Sequence, residues 1–345
     1  MTTQERPLIT FILFAYNQER FIREAVEGAF SQTYSPLEII LSDDCSQDRT
    51  FEIIQEMASE YKGPHIIILN RNERNLGIGG HFNKIMELTR GELIVGAAGD
   101  DISMPNRVQI MYELWDSSNR NATSIYSSLT LIKDKGDIIK DYIQDHNLSS
   151  DPKLNDLMYN IKRFCPQVLG ASHAWDRRIY DLFGPILSET VQEDRVISLR
   201  SKLLGQIVYT EKPLVLYRRH SENVSGFFPS ELNKEKYRNY LIRKIKTRIV
   251  IYRNYLKDIQ IAHNLSLINY ETKMLAEKFI NDWLNQYEFE IKFITSSRLK
   301  KIIMLPSCII GREKLKMIIK YVMIDYWICY KIWLAIFRRS YGEQL

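Results

Sequence analysis

Four short apolar runs, Leu8–Ala15, Leu37–Ser42, His65–Arg71 and Glu92–Ala98, open the chain, and helical patterns separate them. After the first run Phe21, Ile22, Ala25, Val26, Ala29 and Phe30 recur at helical spacing; after the second Phe51, Ile54, Met57, Ala58 and Tyr61 do the same. Continuously apolar strands alternating with amphipathic helices form a mainly parallel sheet covered on both faces, and such sheets bind ligands beyond the C-terminal ends of their strands. An α/β, Rossmann-like first half is therefore expected.

The pattern then changes. Thr123–Ile132 and Asp137–Ile143 flank Asp134-Lys135-Gly136 as a hairpin, and Gln206–Thr210 and Leu214–Arg219 read as two short strands around Lys212-Pro213. The sheet becomes mixed, while helices continue to cover it. From Ser230 onward Gly nearly vanishes and an all-helical region follows, so the chain divides into residues 1–229, with halves of about 1–115 and 116–229, and residues 230–345. Charge follows this division. Residues 1–230 carry net −6 and residues 231–345 net +11, which argues against one uniform nucleic-acid-binding surface and for a cation-using front joined to a rear that meets something anionic. Cys45, Cys165, Cys308 and Cys329 form no CxxC pair, so neither a disulfide frame nor a zinc site is expected. The opening MTTQERPLITF lacks the pattern of a signal peptide and reads as cytoplasmic.

The first strand ends in Ala15-Tyr16-Asn17-Gln18-Glu19 rather than in a glycine-rich turn, so a nicotinamide or flavin dinucleotide fold is not expected. The Gly77-Ile78-Gly79-Gly80 stretch reads as a turn rather than a phosphate loop. Acidic residues gather at strand ends instead: Asp43-Asp44 after the second strand and Asp100-Asp101 after the fourth. Carboxylates there face one crevice, where they accept hydrogen bonds from a base or ribose and hold a hard divalent cation; alone, either pair also reads as a turn or a helix N-cap.

Taken together the pieces resemble a family 2, inverting GT-A glycosyltransferase over about residues 7–226. They are Tyr16-Asn17 with Glu19, Ser31-Gln32-Thr33-Tyr34 before Glu38-Ile39-Ile40, Asp43 to Thr50, Asn75-Leu76-Gly77 with Asn83, Gly99-Asp100-Asp101 with Pro105 and Arg107, Glu193-Asp194, Arg200, and Tyr217-Arg218-Arg219-His220. The resemblance implies that Tyr16 stacks on the nucleotide base, that Asp44 meets its hydrogen-bonding edge, and that Asn75 and Asp100 complete the nucleotide-sugar site. It implies Asp101 as ligand of Mn²⁺ or Mg²⁺, with His220 a further candidate. Two residues before Asp100, where many relatives have Asp, this chain has Ala98. Asp194 is implied as the base that takes the acceptor proton, kept ionised by the dipole of a helix over Glu193–Leu204. Gly170, Ala171, Ser172, Glu193, Arg218, Arg219 and His220 are implied acceptor or phosphate contacts, although Gly170–Ser172 also reads as a tight turn.

The expected activity is transfer of a hexosyl or N-acetylhexosaminyl unit from a nucleotide-diphosphate sugar, UDP foremost, to a saccharide carried on a polyprenyl diphosphate, as in surface polysaccharide synthesis. A protein or soluble-glycan acceptor, or a non-catalytic nucleotide-sugar or membrane-binding module, are the alternatives. A helical wheel over residues 312–338 puts Arg312, Lys316, Lys320, Lys331 and Arg338 within an arc of about 100° above an aromatic-rich apolar face. That pattern suits a helix lying on an anionic leaflet, which would place the protein peripherally on the inner face of the cell membrane; packing on the catalytic domain or in a homodimer is the alternative. Lys-rich residues 234–257 read as added attraction or as a solvated face.

Overall fold

The computed structural model describes residues 6–142, 157, 161, 168–220 and 234–297. The alternation expected from sequence is present as β1 (Ile9–Ala15), α1 (Ile22–Phe30), β2 (Leu37–Asp43), α2 (Thr50–Glu60), β3 (Ile66–Arg71), α3 (Gly77–Met86) and β4 (Leu93–Ala98). Then come β5 (Ile102–Ser103), α4 (Arg107–Ser117), β6 (Ala122–Lys133), β7 (Ile138–Tyr142), a 3-10 turn Gly170–Ser172, β8 (His173–Asp176), α5 (Arg178–Phe183), α6 (Glu193–Leu204) and β9 (Gln206–Arg219). Helices α7 (Lys234–Asn264) and α8 (Tyr270–Thr295) follow.

Among the described residues one sheet of nine strands carries the architecture, in the order β3-β2-β1-β4-β8-β6-β9-β5, with β7 paired to β6. The first four strands are parallel, and β8 joins both β4 and β6 antiparallel. Side chains on a strand alternate between faces. Phe11, Leu13, Ile39 and Leu41 accordingly enter one core with Val26, Ile54 and Trp115, while Ile12, Ile40 and Ile94 enter another with Phe82, Trp175 and Ile197. Both faces are buried, which is why these strands read as unbroken apolar runs.

Two local readings change. The segments on either side of Lys212-Pro213 are one strand, β9, whose pairing to β6 slips between Thr210 and Pro213. A bulge accommodates the proline, which has no N–H for the ladder. The Gly77–Gly80 stretch is the first turn of α3 rather than a free turn. A Cβ on Gly79 would lie 2.7 Å from Leu187 O and 2.8 Å from Ser188 O, so this position lets the helix approach backbone closely.

That contact matters for α6. Asn83 on α3 donates to Ile186 O at 2.8 Å and accepts from Ile186 N at 2.9 Å. Asn254 on α7 accepts from Leu187 N at 2.9 Å and donates to Thr190 Oγ1 at 3.0 Å. The segment leading into α6 is thus held from two helices. Arg200 on α6 makes a buried ion pair with Asp258 on α7, Nε to Oδ2 3.0 Å, and its Nη1 donates to Gly184 O at 2.7 Å.

Two compact units result: Met1–Val224 with Val250–Ile280, and Ser225–Ile249 with Asn281–Leu345. Helix α7 contributes to both, whereas the sequence reading draws a single division at 229/230. Polar anchors such as Asn254 and Asp258 are what assign its later turns to the sheet-bearing unit. In the second unit Tyr237, Leu241, Ile245 and Ile249 form a buried i, i+4 stripe on α7, and Arg248 donates to the Tyr287 hydroxyl at 3.4 Å. Among the described residues no helix is long and apolar enough to cross a membrane. The cationic stripe of residues 312–338 lies outside the described residues.

Candidate active site

The loops after β1 and β2 are stitched together. Asn17 N donates to Ser46 Oγ at 2.8 Å, and Gln47 N returns a bond to Asn17 Oδ1 at 2.8 Å. Gln18 N reaches Thr50 Oγ1 at 2.7 Å, Glu19 N reaches Asp48 Oδ2 at 3.0 Å, and Arg49 N reaches Glu19 Oε2 at 3.0 Å. Asp48 also takes the Thr50 N–H at 3.0 Å, and these hydrogen bonds hold its carboxyl below the usual range although burial opposes them. Asn17 and Cys45 sit at φ of 52° and 62°, left-handed values that cost a non-glycine residue roughly 1 kcal/mol or more. The motif residues of this region are therefore scaffold: they hold Tyr16 and Asp44 at adjacent strand ends, with Asp44 N donating to Ala15 O at 2.9 Å. Tyr16 is 44% exposed, so its ring is free to meet a ligand.

The first acidic pair splits by role. Asp43 is fully buried and accepts from Ser46 N at 2.9 Å and from the Ser46 hydroxyl, closing the turn. Asp44 accepts from Asn72 Nδ2 at 2.8 Å, Leu76 N at 2.9 Å and Gly77 N at 3.0 Å. Asn75 Oδ1 also takes the Gly77 N–H, at 2.9 Å, so Asn75 shapes the same loop. Sequence reasoning missed Asn72 and its neighbours Asn70, Ser42 and His81. The one available signal was the period of two, which places Asn70 and Asn72 on the same side of the chain as β3 ends.

The second acidic pair meets the end of β9. Ile102 pairs with Leu216 antiparallel, so the residues preceding Ile102 run beside those following Leu216. His220 Nε2 lies 2.9 Å from Asp100 Oδ2, and its ring packs on Phe21 at 4.8 Å. Asp101 is buried and accepts from Arg218 N at 2.8 Å; burial, and then the neighbouring Asp100, push its carboxyl well above the usual range. Arg218 and Arg219 point to opposite faces. Arg219 is exposed, whereas the Arg218 side chain is 1% exposed and lies over Phe21. Its guanidinium donates to Asp100 O at 3.0 Å, Asp134 O at 2.7 Å and Glu24 Oε2 at 2.8 Å. It fastens the acidic turn to α1 and to the β6–β7 hairpin, a different position from the phosphate contact expected of it. Arg107, another motif residue, is also buried, donating to Ser103 Oγ at 2.8 Å and Gly96 O at 2.7 Å.

A third acidic pair reaches the same rim through β8. Because β8 is antiparallel to β4, the Gly170–Ser172 turn that precedes it lies toward the C-terminal end of β4, where Asp100 and Asp101 follow. A Cβ on Gly170 would stand 3.1 Å from Glu193 Oε1 and 3.7 Å from Asp194 Cβ, so this turn abuts the start of α6. Ser172 faces inward, its Oγ donating to Leu169 O at 3.2 Å, and Ala171 is partly exposed. Asp194 accepts from Arg195 N at 2.8 Å. Its carboxyl is raised, not lowered as a helix start alone implies: desolvation outweighs the Arg195 charge and the Arg195 and Gly170 N–H groups. Glu193 is pushed up to about 8, by burial first and by Asp194 second. At about 8, Glu193 keeps its proton at neutral pH.

This has a measurable consequence. A carboxyl raised from its ordinary value of 4.5 to about 8 contributes stability that is complete below pH 4.5 and is lost as pH rises through 8. Glu193→Gln keeps the shape and neutrality of the protonated side chain. Its thermal midpoint should match wild type below pH 4.5 and exceed it by a growing margin up to about pH 8. A constant margin across that range would mean that Glu193 is not the group titrating.

Residues 10–161 match the family model described as Glycosyl transferase family 2. An uncharacterized glycosyltransferase of Methanocaldococcus jannaschii is 31% identical over 140 residues, 40% of this chain and 47% of that protein. The chain thus spans about half the length of that relative. One of Haemophilus influenzae, also an uncharacterized glycosyltransferase, is 26% identical over 269 residues, 76% of this chain and 80% of its own. Among solved structures, S. aureus TarS 1-349 in complex with UDP-GlcNAc superposes with a TM-score of 0.51 at 14% identity, covering 80% of this chain and 81% of that one. The fold is of the GT-A type, with a helical C-terminal region. The family match ends before α6, so Glu193, Asp194 and the Arg218–His220 strand end lie beyond it.

Proposed function

We propose that this chain is an inverting glycosyltransferase that moves a hexosyl or N-acetylhexosaminyl unit from a nucleoside-diphosphate sugar, UDP foremost, to a saccharide acceptor. The observation that carries this reading is the gathering of three acidic pairs at one rim of the sheet, each in a different setting. Asp44 is ringed by N–H donors beside an exposed tyrosine, which suits a nucleotide base between them. Asp100 lies against His220 with Asp101 beside it in sequence, which suits the diphosphate. Glu193 and Asp194 stand at the start of α6 against the Gly170 turn, which suits removal of a proton from an acceptor hydroxyl.

Among the described residues no three His, Cys, Asp or Glu side chains form a ready-made metal site. Two adjacent carboxylates and an imidazole are nevertheless suitable donors for Mn²⁺ or Mg²⁺ when phosphate oxygens complete the shell. The buried state of Asp101 fits this role, since a carboxyl that solvent does not stabilise gains most from a cation. A divalent cation held by Asp101, with Asp100 or His220, would neutralise the diphosphate as its bond to the sugar breaks. The protein's own part is to hold Asp100 and Asp101 through Arg218, and to present Asp194 as the proton acceptor. Arg219, exposed on the same strand end, is the cation available to an anionic substrate.

Slow hydrolysis of the donor by water, followed across a panel of nucleotide sugars with Mn²⁺ and with chelator, tests the reading without knowledge of the acceptor. Asp101→Asn should remove most of the metal-dependent gain in donor affinity measured by calorimetry. Equal affinity with metal and with chelator in the unmodified protein would take Asp101 out of the metal role. The basic balance of the rear segment supports contact with an anionic membrane face, and together with the resemblance to family 2 enzymes it favours a polyprenyl-diphosphate-linked saccharide as the acceptor.

A further inference from the structure

We infer that Asn72, held in place by Asn70, Ser42 and His81, occupies one oxygen of Asp44 and so makes the site select a uracil over a guanine nucleoside diphosphate. This rests on the proposed reading of Asp44 as the residue that meets the base. Ser42 is fully buried, and Asp44, His81 and Asn72 are 3%, 4% and 6% exposed, so the chain they form has little access to water.

The connections run in one direction. His81 Nε2 lies 2.7 Å from Ser42 Oγ. Asn70 Nδ2 donates to that same Ser42 Oγ at 2.9 Å and to Asn72 Oδ1 at 3.1 Å. With its carbonyl taken, Asn72 can offer only its amide nitrogen to Asp44, and Nδ2 sits 2.8 Å from Oδ1. Burial lowers His81 to about 4, which keeps the ring neutral and able to accept the Ser42 proton.

The consequence lies in the count of acceptor positions. An ionised carboxylate has two on each oxygen. Oδ1 of Asp44 receives Asn72 Nδ2 and Leu76 N, which fills both, and Oδ2 receives Gly77 N. The remaining capacity is for one N–H, on Oδ2. Uracil presents one imide N–H on its pairing edge, flanked by two carbonyls. Guanine presents an adjacent ring N–H and amino group, a pair suited to both oxygens of a carboxylate, and one of its donors would be left without an acceptor. A donor desolvated and unpaired is strongly rejected.

The test is a binding panel on the full chain with Mn²⁺: uridine diphosphate, guanosine diphosphate and inorganic pyrophosphate as a probe without a base. The unmodified protein should bind the uridine ligand at least about tenfold tighter than the guanosine one. Asn72→Leu releases Oδ1 and should narrow that ratio severalfold while leaving pyrophosphate affinity unchanged. Asn70→Ala, which frees Asn72 to turn, should act in the same direction and decides the matter if the leucine variant does not fold. Equal binding of the two nucleotides by the unmodified protein overturns the inference, as does a ratio that neither substitution moves. A parallel loss of pyrophosphate affinity would reduce the role of Asn72 to general support of the loop, and also overturns it. Failure of all three ligands to bind would instead overturn the donor-binding reading itself.

Discussion

Under the proposed function, Asp194→Asn should lower sugar transfer by about two to four orders of magnitude, the usual cost of a lost general base, and leave donor affinity nearly unchanged. The amide oxygen of asparagine can still accept from Arg195 N and Gly170 N, so the start of α6 keeps its place. What it cannot do is take a proton. The substitution also removes the like charge that helps to raise Glu193, which makes Glu193 the first alternative base. Steady-state transfer and calorimetry on the same preparation separate binding from chemistry. Transfer close to the wild-type rate would move the role of base to another group.

The second large effect is on stability. Asp258→Ala should destabilise the protein by about 3–5 kcal/mol, because it leaves Arg200 charged, buried and without its counter-ion. Both side chains are at most 1% exposed, and Phe183 lies against the guanidinium at 5.5 Å. Burial pushes the Asp258 carboxyl upward and Arg200 pulls it back, so each charge depends on the other. The double replacement Arg200→Met with Asp258→Leu should recover most of the loss, since an apolar pair of similar size avoids desolvating either charge. Denaturant unfolding of the three proteins measures this. A loss below about 1 kcal/mol for Asp258→Ala would show that water reaches the pair.

Strands β1, β2 and β4 were legible because they are buried on both faces, and burial of that kind writes an unbroken apolar run. The bounds of α6 were legible for a similar reason: Gln192 precedes two acids, and Gly205 follows Leu204. The continuity of β9 was not, because Pro213 reads as a break and only pairing with β6 shows that a bulge absorbs it. Nor was the fate of each acid. Asp43 and Asp44 are adjacent and chemically identical, and which one turns into the loop depends on Ser46 and Asn72, which come together only in three dimensions. Period two separates Arg218 from Arg219, but it does not say which of them points inward. The burial that raises Asp194 was not legible either: a helix start favours the ionised form by about a few tenths to 1 kcal/mol, and desolvation opposes it.

The reciprocal bonds between the β1 and β2 loops have a kinetic meaning. Five backbone N–H groups, those of Asn17, Gln18, Glu19, Gln47 and Arg49, are already satisfied by side chains of the opposite loop or its neighbour. Under the proposed function, a nucleotide base between Tyr16 and Asp44 would meet a single stiff jaw, and little ordering entropy would oppose its arrival. Substitutions at Asn17, Asp48 or Thr50 would then loosen base recognition from a distance, raising the dissociation rate of the nucleotide while touching none of its atoms.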